Sequence, residues 1–432
     1  MKIAEHTRRA LVPPLAGLGA FAVLAILWLA ARPLFFAVET QWGIWPGAYP
    51  FSDLEVLLSG IECKRQGIDA WVVNPCDTFG RIFDYPPAWL WLSVFPVSTG
   101  WMNPAGIALS LAFFASLALL PPARTSQGSR LIALGVLSTT TLFAVERGNN
   151  DLAVFALVLA GTWLLARRNE GLAGYALIFL AGLLKYFPMV AMALALALKE
   201  RPRRFLVLAG LSLALAALFA AAHHRELASA IGTIPHGSPF RLVFGASNLG
   251  GGLVLLGAPA WAGQALTAVL AFAGLTGGVA LGLRREAGAA ASPLSVPERL
   301  FFLAGALVVV GAFLTAQNVD YRAVHLLMAL PTLVVLRETA APRRYATLCW
   351  VALALLWMDF FRIKILAVAY LFEAPFQQLI EAIPGFLLRE ALWWWFVVHV
   401  VALTTALLRD APLPRLLAPH LRREPSPDEA AA

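Results

Sequence analysis

The sequence predicts an all-α, polytopic transmembrane helix bundle, and three observations carry that expectation. Of 432 residues, 60% are hydrophobic and only 13% charged, where a soluble globular chain carries about 25% charged residues. The apolar stretches are continuous in Leu, Ala, Val and Phe rather than alternating, which selects helices over a barrel. Basic residues collect between these stretches, as they do where they fix the topology of membrane spans. That placement accounts for the net charge of +8. Nucleic acid is excluded as a partner, because no basic stripe is interleaved with aromatic side chains outside the apolar runs.

Taken in order, the apolar runs predict twelve spans: Leu15–Ala31, Ala105–Leu120, Leu131–Val145, Leu152–Ala166, Leu172–Leu184, Phe187–Leu198, Phe205–Ala222, Trp261–Leu283, Leu300–Ala316, Ala323–Leu336, Tyr345–Trp357 and Leu392–Leu408. Twelve spans place both termini in the cytoplasm and put most of the Lys and Arg on that side. The basic Met1–Arg9 segment precedes a run too long for a signal h-region, so the first span is expected to be retained. Lys185, Tyr186 and Pro188 mark a tight outward turn between two spans. The glycine-broken stretch Asn248–Pro259 is expected to lie in the interface or to dip in and return. The apolar segment from Pro86 to Pro96 is expected as a juxtamembrane helix. One domain, residues 1–410, is followed by a Pro-, Arg- and Glu-rich cytoplasmic tail, 411–432, of disordered composition.

Polar chemistry concentrates in the first outer loop, residues 38–100. Cys63 and Cys76 are spaced to close a disulfide outside the cytoplasm, and no further Cys or His joins them to make a metal site. Asp53 and Glu55 precede the apolar-periodic Leu54, Val56, Leu57 and Leu58. On one reading Ser52 or Asp53 simply caps a short helix there; on the other Asp53 is a general base at the membrane boundary, where partial desolvation tunes a carboxylate.

Three further polar clusters interrupt the apolar runs. Glu146–Asp151, with Arg147, Asn149 and Asn150, holds more charge than a turn needs. Lys185-Tyr186-Phe187-Pro188 and Gln317-Asn318-Val319-Asp320-Tyr321-Arg322 lie where predicted spans meet the outer face. A charge at membrane depth costs about 2.5–3.5 kcal/mol on insertion scales, so it faces a cavity or a partner, unless Lys185 snorkels outward or Arg322 merely pairs with Asp320. His223, His224 and His236 sit in the 222–247 loop without metal-ligand spacing and are expected as surface or substrate-loop residues. No nucleotide-phosphate or nicotinamide motif occurs.

The acidic first outer loop, Tyr85-Pro86-Pro87 at its end, the polar Glu146–Asp151 turn and Lys185-Tyr186-Phe187-Pro188 occur in an order that resembles the GT-C superfamily of polytopic glycosyltransferases. The closest likeness is to the bacterial family of polyprenol-phosphate-mannose-dependent α-mannosyltransferases, glycosyltransferase family 87, over most of the chain to about Pro331. The resemblance implies that Asp53, early in the first outer loop, is the catalytic base and that Tyr85-Pro86-Pro87 is the family's Y-P-P. Gly148-Asn149 stands where that family often has Gly-Gln, and Lys185–Pro188 has two residues inserted into a K-P-type motif. Cys63, Cys76 and Asn74-Pro75-Cys76-Asp77 lie outside the family pattern.

The expected site therefore comprises Asp53 as base, Lys185, Arg147 and Arg322 on a donor phosphate, and Glu55, Asp84, Tyr85, Asn149, Asn150, Asp151, Tyr186, Asn318, Asp320 and His236 around the substrates. Trp71, Trp89 and Tyr85 offer faces for sugar stacking, although interfacial aromatics also serve as anchors. The expected partners are membrane lipids, a polyprenyl-phosphate sugar and a lipid or glycan acceptor in a bacterial inner membrane, with no cofactor and no metal. Two rivals remain open: a transporter or flippase of lipid-linked sugars, which should show internal repeats, and a non-catalytic envelope assembly protein.

Overall fold

The computed structural model describes residues 2–167, 171–198, 202–233, 237–240, 242–339, 342–373 and 376–409. Among them the chain is helical except for turns and one antiparallel pair of two-residue strands, Val243 opposite Val319 and Phe244 opposite Asn318. Five helices are long and apolar enough to cross a membrane: Glu5–Ala30, Thr99–Leu119, Ala260–Gly282, Val296–Thr315 and Gly385–Arg409. Two bent pairs, Ser126–Val136 with Thr139–Arg147 and Leu206–Ala222 with His224–Gly232, raise the number to seven if each pair is one span. This is an integral membrane protein.

The twelve expected spans are therefore not twelve helices of spanning length. Asp151–Leu165, Gly171–Leu184, Leu326–Glu338 and Arg343–Leu356 run 15, 14, 13 and 14 residues, and Phe187–Ala197 is a 3₁₀ segment of 11. At 1.5 Å per α-helical residue and 2.0 Å per 3₁₀ residue these reach about 20–23 Å, short of a hydrocarbon core of about 30 Å. Burial explains their apolarity. Leu326 through Leu336 are all buried, and Val154, Phe155, Val158 and Leu159 have no exposure. By contrast, only 17% of the apolar window of Glu5–Ala30, and 17% of that of Ala260–Gly282, is buried within the protein. Composition alone cannot separate a helix that faces lipid from one that faces protein.

Asp151–Leu165 and Gly171–Leu184 form an antiparallel hairpin held at two glycines. A Cβ on Gly161 would lie 2.7 Å from the Gly174 carbonyl oxygen, and one on Gly174 would lie 2.6 Å from that of Gly161. Counting back from this crossing, Asp151 and Lys185 emerge at the same end. Phe187–Ala197 then turns back along Gly171–Leu184, which gives the tight turn at Lys185–Pro188 expected from the sequence.

The first loop packs as a lobe of its own. Its helix, Ser52–Arg65, buries Leu54, Leu57, Leu58 and Ile61 against Phe83 and Leu90. Cys63 and Cys76 are joined by a disulfide with the Cα atoms 5.9 Å apart. Neither Ser52 nor Asp53 caps this helix; Phe51 occupies the cap position without a side-chain bond. The Pro86–Pro96 segment is a 3₁₀ stretch, Pro87–Val94, anchored where Trp89 Nε1 donates to the Leu184 carbonyl at 3.0 Å. Within Asn248–Pro259 a helix, Ser247–Leu255, reverses at Gly257 and packs on Ala260–Gly282. Short helices without a counterpart in the sequence reading include Arg32–Trp42, His224–Thr233, Arg285–Ala291 and Met358–Ala369.

Candidate functional site

Asp53 is placed by a strained residue beside it. Phe51 has a left-handed backbone, φ 67°, which costs a non-glycine residue of order 1–3 kcal/mol. Its N–H donates to the Glu146 carbonyl at 2.6 Å. Its ring lies where a Cβ on Gly106 would meet it at 2.4 Å, and its Cβ and Cα lie about 3 Å from where a Cβ on Gly148 would sit. Gly148, at φ 58°, ends the helix Thr139–Arg147 in the left-handed cap conformation. Phe51 is thus wedged between two glycines, which docks the start of Ser52–Arg65 on the Glu146–Asp151 turn. Asp53 and Glu55 fall in the first turn of that helix, where the helix dipole favours negative charge.

The turn itself is the hub. Asn149 Oδ1 accepts the Asp151 N–H at 2.9 Å, and Asn149 Nδ2 donates to Asp53 Oδ2 at 2.7 Å. Lys185 Nζ donates to Asn150 Oδ1 at 2.7 Å and lies 2.9 Å from Asp151 Oδ2. Arg322 Nε is 3.4 Å from the same oxygen, and its Nη1 donates to Asn318 Oδ1 at 2.6 Å. His325 Nε2 stands 3.6 Å from Asp151 Oδ1. One buried carboxylate therefore gathers a lysine, an arginine and a histidine, while the adjoining asparagine holds a second carboxylate. Burial lowers the Lys185 ammonium to about 8 despite the pull of Asp151. Burial raises the Asp84 carboxyl to about 6, opposed by Lys185 and reinforced by Asp53.

The expected residues separate into those gathered here and those placed elsewhere. Asp53, Asn149, Asn150, Asp151, Lys185, Arg322 and Asn318 form one bonded network. Asp84 is tied to it by charge, and the Tyr85 hydroxyl donates to the Asp53 carbonyl at 3.4 Å. Arg147 flanks it: Nη1 donates to Ser52 Oγ at 3.1 Å, Nη2 to the Trp45 carbonyl at 3.0 Å, and Nε lies 3.1 Å from Glu146. Asn318 donates to the Ala312 and Ala316 carbonyls, so it ends the preceding helix and orients Arg322.

Glu55 is committed to the loop instead, accepting from Tyr49, from Thr78 and from Arg81 Nη2 at 2.8 Å. Asp320 does not pair with Arg322. It is buried beside Asp359, Arg362 and Arg389, because residues two apart on a 3₁₀ segment, at three residues per turn, point to different sides. Tyr186 is exposed; its carbonyl accepts the Met189 N–H at 3.1 Å, and its hydroxyl makes no hydrogen bond among the described residues. His236 and the tail lie outside the described residues. No group of three or more His, Cys, Asp or Glu suited to a metal occurs among the described residues.

His325 was missed, and spacing could have found it. Asp320–His325 is a 3₁₀ segment, in which residues three apart eclipse, so Arg322 and His325 share a face. No family model, curated protein or solved structure matches this chain.

Proposed function

We propose that this protein is a membrane glycosyltransferase of GT-C type that moves a sugar, mannose or another hexose or pentose, from a polyprenyl-phosphate donor to a lipid or glycan acceptor. Transfer takes place on the extracytoplasmic face of a bacterial inner membrane. The observation that carries this proposal is the linkage of the Asp53 carboxylate to the Lys185 and Arg322 cations through the single turn Asn149–Asp151, with bonds of 2.7 to 3.4 Å.

The chemistry needs these two poles. Asp53 takes the proton of the acceptor hydroxyl as its oxygen attacks the anomeric carbon. The bond from that carbon to the phosphate oxygen breaks with inversion, and the electron pair leaves on the phosphate. Lys185 and Arg322 meet that developing charge, and fixed cations in a site shielded from water stabilise it more strongly than solvent would. Asp151 holds the two cations in place. Arg147, on the Ser52 side, supplies a third positive group at the rim. With a single phosphate to neutralise, the residues suffice without a metal.

The test is sugar incorporation in nanodiscs from radiolabelled polyprenyl-phosphate donors into extracted envelope lipids, wild type beside Asp53→Asn. Transfer by wild type and loss in the variant are expected. Equal transfer by both would move the base to Asp84. Failure of folded wild type with every donor, together with movement of lipid-linked sugar across vesicles, would replace the transferase with a flippase.

A further inference from the structure

A separate cavity is lined in part by Phe51. Between the helices Glu5–Ala30, Arg32–Trp42 and Thr99–Leu119 runs a groove of about 210 Å³. Its lining is mostly apolar, with Trp28, Leu29, Phe35 and Ile107 among it, and includes two acidic residues, Glu39 and Glu146. Leu29 is 83% exposed on one of the two spanning helices least covered by protein, so the groove opens toward the hydrocarbon phase.

Glu39 has no hydrogen-bond partner among the described residues. It is 1% exposed, yet neither of its carboxyl oxygens makes a hydrogen bond. A buried carboxyl without a partner costs several kcal/mol when ionised. Burial, with the neighbouring Glu146, raises Glu39 to about 9, so it keeps its proton at neutral pH. A protonated carboxyl both donates and accepts. Glu146, by contrast, is already engaged by the Gly47 N–H at 2.9 Å and by Arg147 at 3.1 Å.

A carboxyl that both donates and accepts, in a mostly apolar lining open to lipid, selects one kind of guest. Its head must also donate and accept without bringing charge, and its body must be hydrocarbon. We propose that this groove binds a membrane lipid with an uncharged hydroxyl head, the hydroxyl seated on Glu39 and the chain lying along Trp28, Leu29 and Ile107. An anionic head would meet Glu146 and gain no cation, since Arg147 is turned to Ser52, Trp45 and Glu146. Binding of this kind stands whether or not the protein transfers sugar.

The experiment is photolabelling of the full chain in nanodiscs with hexadecanol bearing a mid-chain diazirine, the adducts being mapped by peptide mass spectrometry. Adducts are expected within residues 21–29 and 103–107. Unlabelled hexadecanol should compete at concentrations about tenfold below those needed for hexadecyl phosphate or hexadecylammonium, the scale of one buried hydrogen bond left unmade. Glu39→Leu should reduce labelling by about tenfold for the same reason, whereas Glu39→Gln, which still donates and accepts, should retain it. Ala25→Trp, which fills the groove and leaves Glu39 intact, should abolish labelling even if Glu39→Leu fails to fold. Adducts confined to other segments, equal competition by the charged amphiphiles, or labelling unchanged by Ala25→Trp would each overturn the proposal.

Discussion

Asn149 donates its side-chain amide to the Asp53 carboxylate at 2.7 Å across 96 positions of sequence. The same side chain accepts the backbone N–H of Asp151. One amide therefore fixes Asp53 relative to the residue that collects Lys185, Arg322 and His325, and it does so with both of its ends occupied.

Removing that amide tests whether the two poles must be held in register. On the transfer mechanism, Asn149→Ala leaves Asp53 and the cations present but unlinked. A misplacement of about 1 Å can cost about 100-fold in rate, so kcat should fall by about that factor while KM for the donor changes little. Steady-state kinetics at saturating acceptor, on protein that remains monodisperse, checks this. An unchanged kcat would mean that the linkage is not needed for transfer.

Lys185 sets an alkaline limit. Its folded value lies near 8, so its cation is present below that pH and lost as pH rises through it. KM for the donor should climb above pH 8, where one of the phosphate's two partners becomes neutral. Lys185→Arg keeps its charge at any accessible pH and should shift the climb upward or remove it. A profile of donor KM against pH for the two proteins decides the point.

Asp151 is the one anion among three basic side chains, and it is fully buried. Breaking a buried pair by removing one partner costs about 3–5 kcal/mol, because an uncompensated charge remains inside. Asp151→Asn should therefore destabilise the fold by that order, read as a drop in denaturation midpoint in detergent. Pairing it with Lys185→Met should restore part of the loss. If the single variant is as stable as wild type, the cluster does not contribute through charge.

The disulfide between Cys63 and Cys76 closes a 13-residue separation in the loop lobe. A loop of that size is worth about 3 kcal/mol on the chain-entropy model. The constraint acts on the lobe and not on the spans. Cys63→Ser with Cys76→Ser should speed proteolysis between residues 63 and 85 while leaving the membrane helices resistant. Equal protection in both proteins would mean that packing on Phe83 and Leu90 suffices without the bridge.

Much of this molecule was legible before its structure. Composition marked a helical membrane protein, because hydrocarbon forces backbone groups to pair within each helix. The polar interruptions were legible as well: a charge in an apolar run needs a compensating partner, so Asp53, Asn149, Asn150, Asp151, Lys185 and Arg322 stood out one by one. Their partners were not legible. Arg322 sits two residues from Asp320 yet bonds Asp151, 171 positions away, because the 3₁₀ segment directs side chains two residues apart to different sides. Glu55, two residues from Asp53, is turned into the loop and held by Arg81.

The span count shows the same division. Leu152 and Leu29 are alike in the sequence, but one has no exposure and the other 83%. Hydrophobicity records that a side chain avoids water, and both protein and lipid satisfy it. What the sequence by itself determined was the solvent class of each segment and the inventory of charges, since both depend on residue type alone. What the tertiary structure decided was which apolar helices form the core, which charges meet, and that Glu39, beside a groove, is left without a hydrogen-bond partner among the described residues. Those depend on helix ends brought together by close contacts such as Gly161 on Gly174 and Phe51 between Gly106 and Gly148, and contacts of that range have no local signature.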